Sequence, residues 1–182
     1  TYPLGKVFSG YKNSFFRKDK YHGINIFRVR AVTGYRDSVV KKILKYINFM
    51  VFGSIAAIFI GRRYDYVFGF NLGSLTDMLP AVVIRKLYKK PVMFWVQDVW
   101  PDGVYAYGFK KTRVLSALLN SFVKFIHHNI TAIAISSKGF ERKLEPYIKK
   151  GLKFGYAPNW ADDLNMDMNP IALSVIQKVH FT

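Results

Sequence analysis

The chain has 182 residues, of which 51% are hydrophobic and 17% aromatic, enough for one domain with a sizeable core and too apolar for general disorder. It contains no cysteine, which excludes a disulfide scaffold and cysteine-ligated zinc. Lys and Arg number 28 against 11 Asp and Glu, a formal net charge of +17 that favours an anionic partner such as nucleic acid, a phosphorylated ligand or an acidic membrane surface.

The basic residues are spread in pairs: Lys41-Lys42, Arg62-Arg63, Lys89-Lys90, Lys110-Lys111 and Lys149-Lys150. Several flank apolar helical stretches with aromatics among them, which suits a membrane interface better than a nucleic-acid arm. The first residues carry neither an initiator Met nor the apolar core of a signal peptide, so the chain is expected to be a fragment.

In chain order, residues 23–29 alternate well enough for a strand. Residues 37–60 read as a long helix, its start capped by the Asp37-Ser38 pair and its polar face marked by Lys41, Lys42 and Lys45. A second strand follows over 66–70, then a helix over 74–88 with Ser74 as its cap and Asp77 at the third position. Residues 91–96 form the third strand, a continuous apolar run expected to be buried on both faces. A helix over 112–127 carries Leu115, Leu118, Leu119, Phe122 and Phe125 near helical spacing. Strand 131–135, a short charged helix over 138–147 and strand 152–156 complete the pattern.

Strands therefore alternate with helices, which implies an α/β fold: a Rossmann-like parallel sheet with right-handed crossovers and helices on both faces. Residues 1–163 are expected to form one domain, incomplete at its start, with 164–182 a linker or the beginning of a second domain. The apolar stretch 47–61 is too short for the ~20 residues that span a bilayer. A buried crossover helix is the favoured reading, and a shallow dip into the membrane, anchored by the flanking cations, is the alternative.

Ligands of open parallel sheets bind just beyond the carboxyl ends of the strands. Gln97, Asp98 and Asp102 stand there after the third strand, beside Trp95, Trp100, Tyr105 and Tyr107. Carboxylates and amides bond sugar hydroxyls, and aromatic faces stack on the C–H faces of pyranose rings. Asn71, Gly73 and Ser74 end one strand and open a helix, so their backbone could meet an anion or sugar hydroxyls, or Gly73 could simply permit the turn. Ser136 and Ser137 lack a nucleophile elbow, and one of them is expected to cap the next helix. His127-His128 is expected to complement a helix dipole, and the histidine spacing does not favour a metal.

The segments V-Q-D-V-W-P-D-G, I-A-I-S-S and Y-A-P-N-W-A-D together resemble the amino-terminal domain of retaining GT-B glycosyltransferases of family 4. The likeness is greatest to bacterial O-antigen, capsule and colanic-acid enzymes of the fucosamine-transferase type. It implies an acceptor-binding domain normally paired with a carboxyl-terminal domain that binds the nucleotide sugar, so that this chain alone would not transfer sugar. It places Gln97 and Asp98 at a strand end facing the reacting sugar, Ser136 near the cleft, and Asn159 with Asp162 in an Asn…Asp pattern. With the residues read above, Asp98 is the expected catalytic residue, and Gln97, Trp100, Asp102, Asn71, Gly73, Ser136 and Asn159 are expected to bind substrate. Gln97 stands where many relatives carry His; Gln cannot shuttle a proton at neutral pH, so hydrogen bonding is what the position offers.

The resemblance further implies no cofactor beyond the nucleotide-sugar substrate and no metal. Its partners would be a lipid-linked sugar acceptor and an anionic inner-membrane surface, with the protein peripheral on the cytoplasmic side. The family's first strand, with its Gly-rich loop, has no counterpart here. A second reading of another class is a basic membrane- or nucleic-acid-binding module, although no helix-turn-helix or aromatic RNA-binding segment is present.

Overall fold

The structure is a computed structural model that describes residues 5–35, 38–71 and 73–159. Asp37, Asp162 and the proposed linker 164–182 lie outside the described residues.

The chain first forms an antiparallel hairpin of β1 (Phe16–Tyr21) and β2 (Ile24–Val29). Only β2 is foreseen by the sequence, because four of the six β1 residues are charged. The turn carries its own signal: His22 and Gly23 both take positive φ, 44° and 84°, as the tightest hairpin turns require. Asp19 on β1 accepts from Arg17 at 2.7 Å and from Arg28 of β2 at 2.8 Å. The hydrogen bond from Arg28 holds its carboxyl below the ordinary range.

Helix α1 (Val39–Ile60) begins where Ser38 Oγ accepts the Lys41 N–H. The parallel sheet then unfolds in strict sequence as β3 (Val67–Phe70), β4 (Val92–Val96), β5 (Ala132–Ile135) and β6 (Lys153–Tyr156), in spatial order β3-β4-β5-β6. Between the strands run α2 (Leu79–Tyr88), α3 (Asp102–Ala106), α4 (Arg113–His128) and α5 (Phe140–Leu144). A 3₁₀ turn, Leu75–Met78, precedes α2, with Ser74 Oγ accepting from Thr76 N as the predicted cap. The molecule is thus a mixed α/β protein with a four-stranded parallel sheet flanked by helices, consistent with a Rossmann-like fold.

The alternation along β4 shows where the core sits. Val92, Phe94 and Val96 point into it and are fully buried, packed in one cluster with Leu75, Met78 and Val82, with Val123 and Ile126 of α4, and with Leu144 of α5. Val82, Val123, Ile126 and Leu144 bring α2, α4 and α5 into this one cluster. The opposite face carries Phe68, Phe70 and Met93, which are exposed, so β4 is buried on one face only and the expected burial on both faces is corrected. Thr131 braces β4 to β5, its hydroxyl accepting the Val92 N–H at 2.9 Å.

Three expectations of detail are corrected. Neither Ser136 nor Ser137 caps α5 by its side chain; the cap position is Gly139, with no side-chain bond. On α4 the fully buried residues are Val123, Ile126 and His127, all in its carboxyl half, while Leu118 and Phe125 are exposed, Phe125 because it faces away from that buried stripe. His127 is 2% exposed, too buried to serve as a dipole-complementing cation. Its Nδ1–H donates to the Val123 carbonyl at 2.8 Å, and burial pushes its pKa down, so the ring is neutral.

Candidate functional site: a strand-end crevice beside a cationic cavity

The carboxyl ends of β3 and β4 are adjacent in register, with Phe70 opposite Trp95. Beyond them the chain turns sharply at Gly73, whose φ of 102° is a conformation that side chains rarely adopt. The turn is fastened from the neighbouring loop, where Trp100 Nε1–H donates to the Gly73 carbonyl at 2.8 Å. A Cβ placed on Gly73 would stand 3.7 Å from the Tyr107 hydroxyl and 3.9 Å from Asp98 Oδ2. The glycine backbone, the exposed Asp98 carboxylate and the Tyr107 hydroxyl therefore converge at the mouth of the sheet, over a floor made by Trp100.

Two amides mark the same strand ends. Asn71, directly after β3, is completely buried, and neither its Oδ1 nor its Nδ2 has a hydrogen-bond partner among the described residues. Gln97, directly after β4, has a buried Nε2 in the same condition. An unpaired buried amide costs about 1–3 kcal/mol, so this edge of the sheet is not optimised for stability. Asn71→Leu, similar in shape and without the amide, is expected to stabilise the fold by about 1–2 kcal/mol, raising Tm by a few degrees. A lower Tm in thermal melts would mean that the amide is doing structural service.

Asp102 serves elsewhere. It opens α3 and pairs with Lys143 of α5 at 2.6 Å, in a polar group where Tyr147 donates to Asn120 Oδ1 at 2.6 Å and Tyr105 to Ser116 Oγ at 2.8 Å. Burial raises the Tyr147 pKa, helped by the Asp102 charge. Ser136 is half-buried, its hydroxyl donating to the Val96 carbonyl at 3.1 Å and so tying β5 to the end of β4. Asn159 is exposed beyond β6. Trp95 spans the intervening strand, its Nε1–H donating to the Ala157 carbonyl at 2.9 Å where the chain leaves β6.

A cavity of about 610 Å³ opens beside this crevice, and Tyr107 belongs to both. Lys12, Arg17, Arg28, Arg30 and Lys45 line it, with Asp77 as the one acidic side chain in the lining. The cations are held in place by their neighbours: the Arg28 guanidinium lies 5.0 Å from the Tyr11 ring, Arg30 4.8 Å from Phe15, and Lys45 4.5 Å from Tyr35. Burial pushes the Asp77 pKa up to about 6, against the opposing effects of Lys45 and the Thr76 hydrogen bond. Near neutral pH the cavity is strongly cationic, and mild acid makes it more so.

Sequence reasoning did not find this cavity, because its lining comes from the amino-terminal segment, both hairpin strands, α1 and the turn before α2. The signal available was the pair of cations at alternate positions, Arg28 on β2 and Arg30 just past it, with aromatic Tyr11 and Phe15 earlier in the chain. No group of three His, Asp or Glu side chains is placed to hold a metal ion among the described residues.

Fold and site together define a Rossmann-like α/β protein with a polar crevice at the ends of its first two parallel strands. No protein-family model matches this chain, and no curated protein or solved structure does so either.

Proposed function

We propose that this chain is the acceptor-binding, amino-terminal portion of a retaining glycosyltransferase. In this reading it serves the transfer of a sugar from a nucleotide-sugar donor to a lipid-linked glycan in cell-surface polysaccharide synthesis. The observation that carries the reading is the meeting, at Tyr107, of two kinds of surface: a carboxylate-and-aromatic crevice suited to a sugar, and a cationic cavity suited to phosphate. A lipid-diphosphate-linked sugar carries both chemistries side by side.

In this arrangement Asp98 accepts from a sugar hydroxyl and faces the positive charge that builds on the reacting ring. Trp100 and Tyr107 pack against ring faces, and the Gly73 backbone lets the ligand approach without a Cβ in the way. Lys12 and Arg30 neutralise the phosphates through charge-assisted bonds. The donor is held by a second wall that the described residues do not supply. The acceptor's lipid sets the reaction at the cytoplasmic face of the membrane.

Calorimetric titration with farnesyl diphosphate and with inorganic pyrophosphate tests the phosphate half of this assignment. The double variant Lys12→Gln/Arg30→Gln is expected to weaken both by about tenfold or more, since each lost charge-assisted bond is worth about 1.5–3 kcal/mol. Equal affinity in variant and parent would remove the cavity from the acceptor site.

A further inference from the structure

Helix α1 is built on two faces, and only one of them belongs to the domain. Gly53, Ala56 and Ala57 are buried, and small residues there bring α1 close to α2. A Cβ on Gly53 already meets Pro80 Cγ at 3.0 Å, and one on the following Gly61 would strike Ile84 at 2.6 Å. Further contacts hold this face from Asn48 to Ile58: Asn48 donates to the Arg30 carbonyl, Phe52 meets Phe15 edge-on at 5.7 Å, and the Tyr88 hydroxyl of α2 donates to the Ile58 carbonyl.

The other face is apolar and open to solvent. Val40, Leu44, Ile47, Val51, Ile55 and Ile58 recur at helical spacing in one outward stripe, exposed by 65, 47, 44, 42, 45 and 43%, with Phe59 beside it at 74%. In the most apolar part of this helix only 11% is buried. A soluble monomer rarely leaves so long an apolar stripe uncovered. The favoured sequence reading of 47–61, a crossover helix buried between sheet and neighbouring helices, therefore holds for the face with Gly53, Ala56 and Ala57 and is corrected for the outward one.

Charge chooses among the occupants. Lys41 and Lys42 are exposed in the first turn of α1, and Arg62 and Arg63 are exposed just past its end, with no charged residue from Tyr46 to Gly61. Cations at both ends of an apolar stripe match an anionic headgroup layer above hydrocarbon. A self-associating helix face would set four cations of one copy near those of another.

We infer that α1 lies flat in the interface of an anionic bilayer, its outward stripe in the acyl boundary and its two basic ends on lipid phosphates. At 22 residues the helix is about 33 Å long, enough to cross a bilayer core, yet its inner face is fastened to α2 and the hairpin. Crossing would pull that packed core into hydrocarbon, so the helix lies along the surface. The inference rests on α1 alone and stands whether or not the chain transfers sugar. The cationic cavity lies along the same helix, where Lys45, Tyr46, Asn48 and Phe49 line it.

Co-sedimentation with vesicles of phosphatidylcholine, with and without phosphatidylglycerol, tests it. The protein is expected to bind the mixed vesicles, and Val51→Asn/Ile55→Asn, at exposed positions that leave the circular dichroism unchanged, to weaken binding by about tenfold or more. Lys41→Gln/Lys42→Gln/Arg62→Gln/Arg63→Gln is expected to weaken binding to mixed vesicles several-fold and to flatten its salt dependence. Absence of vesicle binding overturns the inference, as does binding that the Val51/Ile55 variant leaves intact. Lipid-free dimerisation in sedimentation velocity that the same variant abolishes, without vesicle affinity, would assign the stripe to a second copy instead.

Discussion

Assayed for glycosyl transfer with the donor-binding wall present, Asp98→Asn is expected to lower kcat/KM by about a hundredfold while leaving Tm unchanged. The position explains both halves of the expectation. Asp98 follows β4, is exposed at the strand end, and stands 3.9 Å from where a Gly73 side chain would begin, so its carboxylate is presented to a ligand. Asn keeps the shape and one acceptor oxygen but loses the charge, and a charge-assisted bond made in the transition state is worth about 1.5–3 kcal/mol. A structural carboxylate would behave in the opposite way, with Tm falling and kcat/KM holding. Gln97, one residue earlier, has a buried Nε2 and carries no titratable proton. Any pH dependence of the rate in the parent therefore belongs to other groups, and only a Gln97→Glu variant would bring a titratable carboxyl to this position.

Asp77→Asn is expected to stabilise the protein at pH 7 to 8 and to make no difference below about pH 4. In the fold its pKa is pushed from 3.8 to about 6, chiefly by burial, so the folded state holds a proton that the unfolded chain has released. Stability from this group is thus present at low pH and is lost as pH rises through the window from 3.8 to about 6. The gap, which already includes the opposing pull of Lys45, corresponds to a ceiling of about 3 kcal/mol, which partial exposure reduces to about 1–2 kcal/mol. Urea unfolding of parent and variant across this range measures it. A variant less stable than the parent at pH 8 would mean that the ionised carboxylate anchors Lys45 more than it suffers from burial.

The parallel sheet was legible because its strands are marked by burial itself. The run Val92–Val96 sits between turn signals, and its alternating members Val92, Phe94 and Val96 became the centre of the core. Helix starts were legible wherever a hydroxyl sat in place: Ser38, Ser74 and Thr112 each accept a backbone N–H in the first turn of their helix. The strand β1 was not legible, since charge masks its periodicity and its pairing depends on a turn with φ positive at His22. The two faces of α1 could not be told apart either, because Gly53, Ala56 and Ala57 bury as spacers while larger neighbours such as Val51 and Ile55 face outward. Hydropathy ranks those positions in the reverse order of their burial.

The site was legible in part, for a similar reason. Proximity along the chain grouped Gln97, Asp98, Trp100 and Asp102, and the structure gives these neighbours different partners. Trp100 turns to Gly73, and Asp102 turns to Lys143, far along the chain. The joining of Gly73 to Asp98 and Tyr107 across two loops, and the cavity beyond Tyr107, are products of tertiary packing that spacing does not encode.

The central claim is that crevice and cavity hold one ligand bearing both sugar and phosphate. Backbone amide shift mapping on isotopically labelled protein, titrated with a short prenyl-diphosphate-linked monosaccharide, tests it directly. Saturable shifts are expected at Gly73, Asp98 and Tyr107 together with Lys12 and Arg30, and with inorganic pyrophosphate shifts confined to the cavity cations. Shifts at the cations alone with both ligands, leaving Gly73 and Asp98 unmoved, would contradict it.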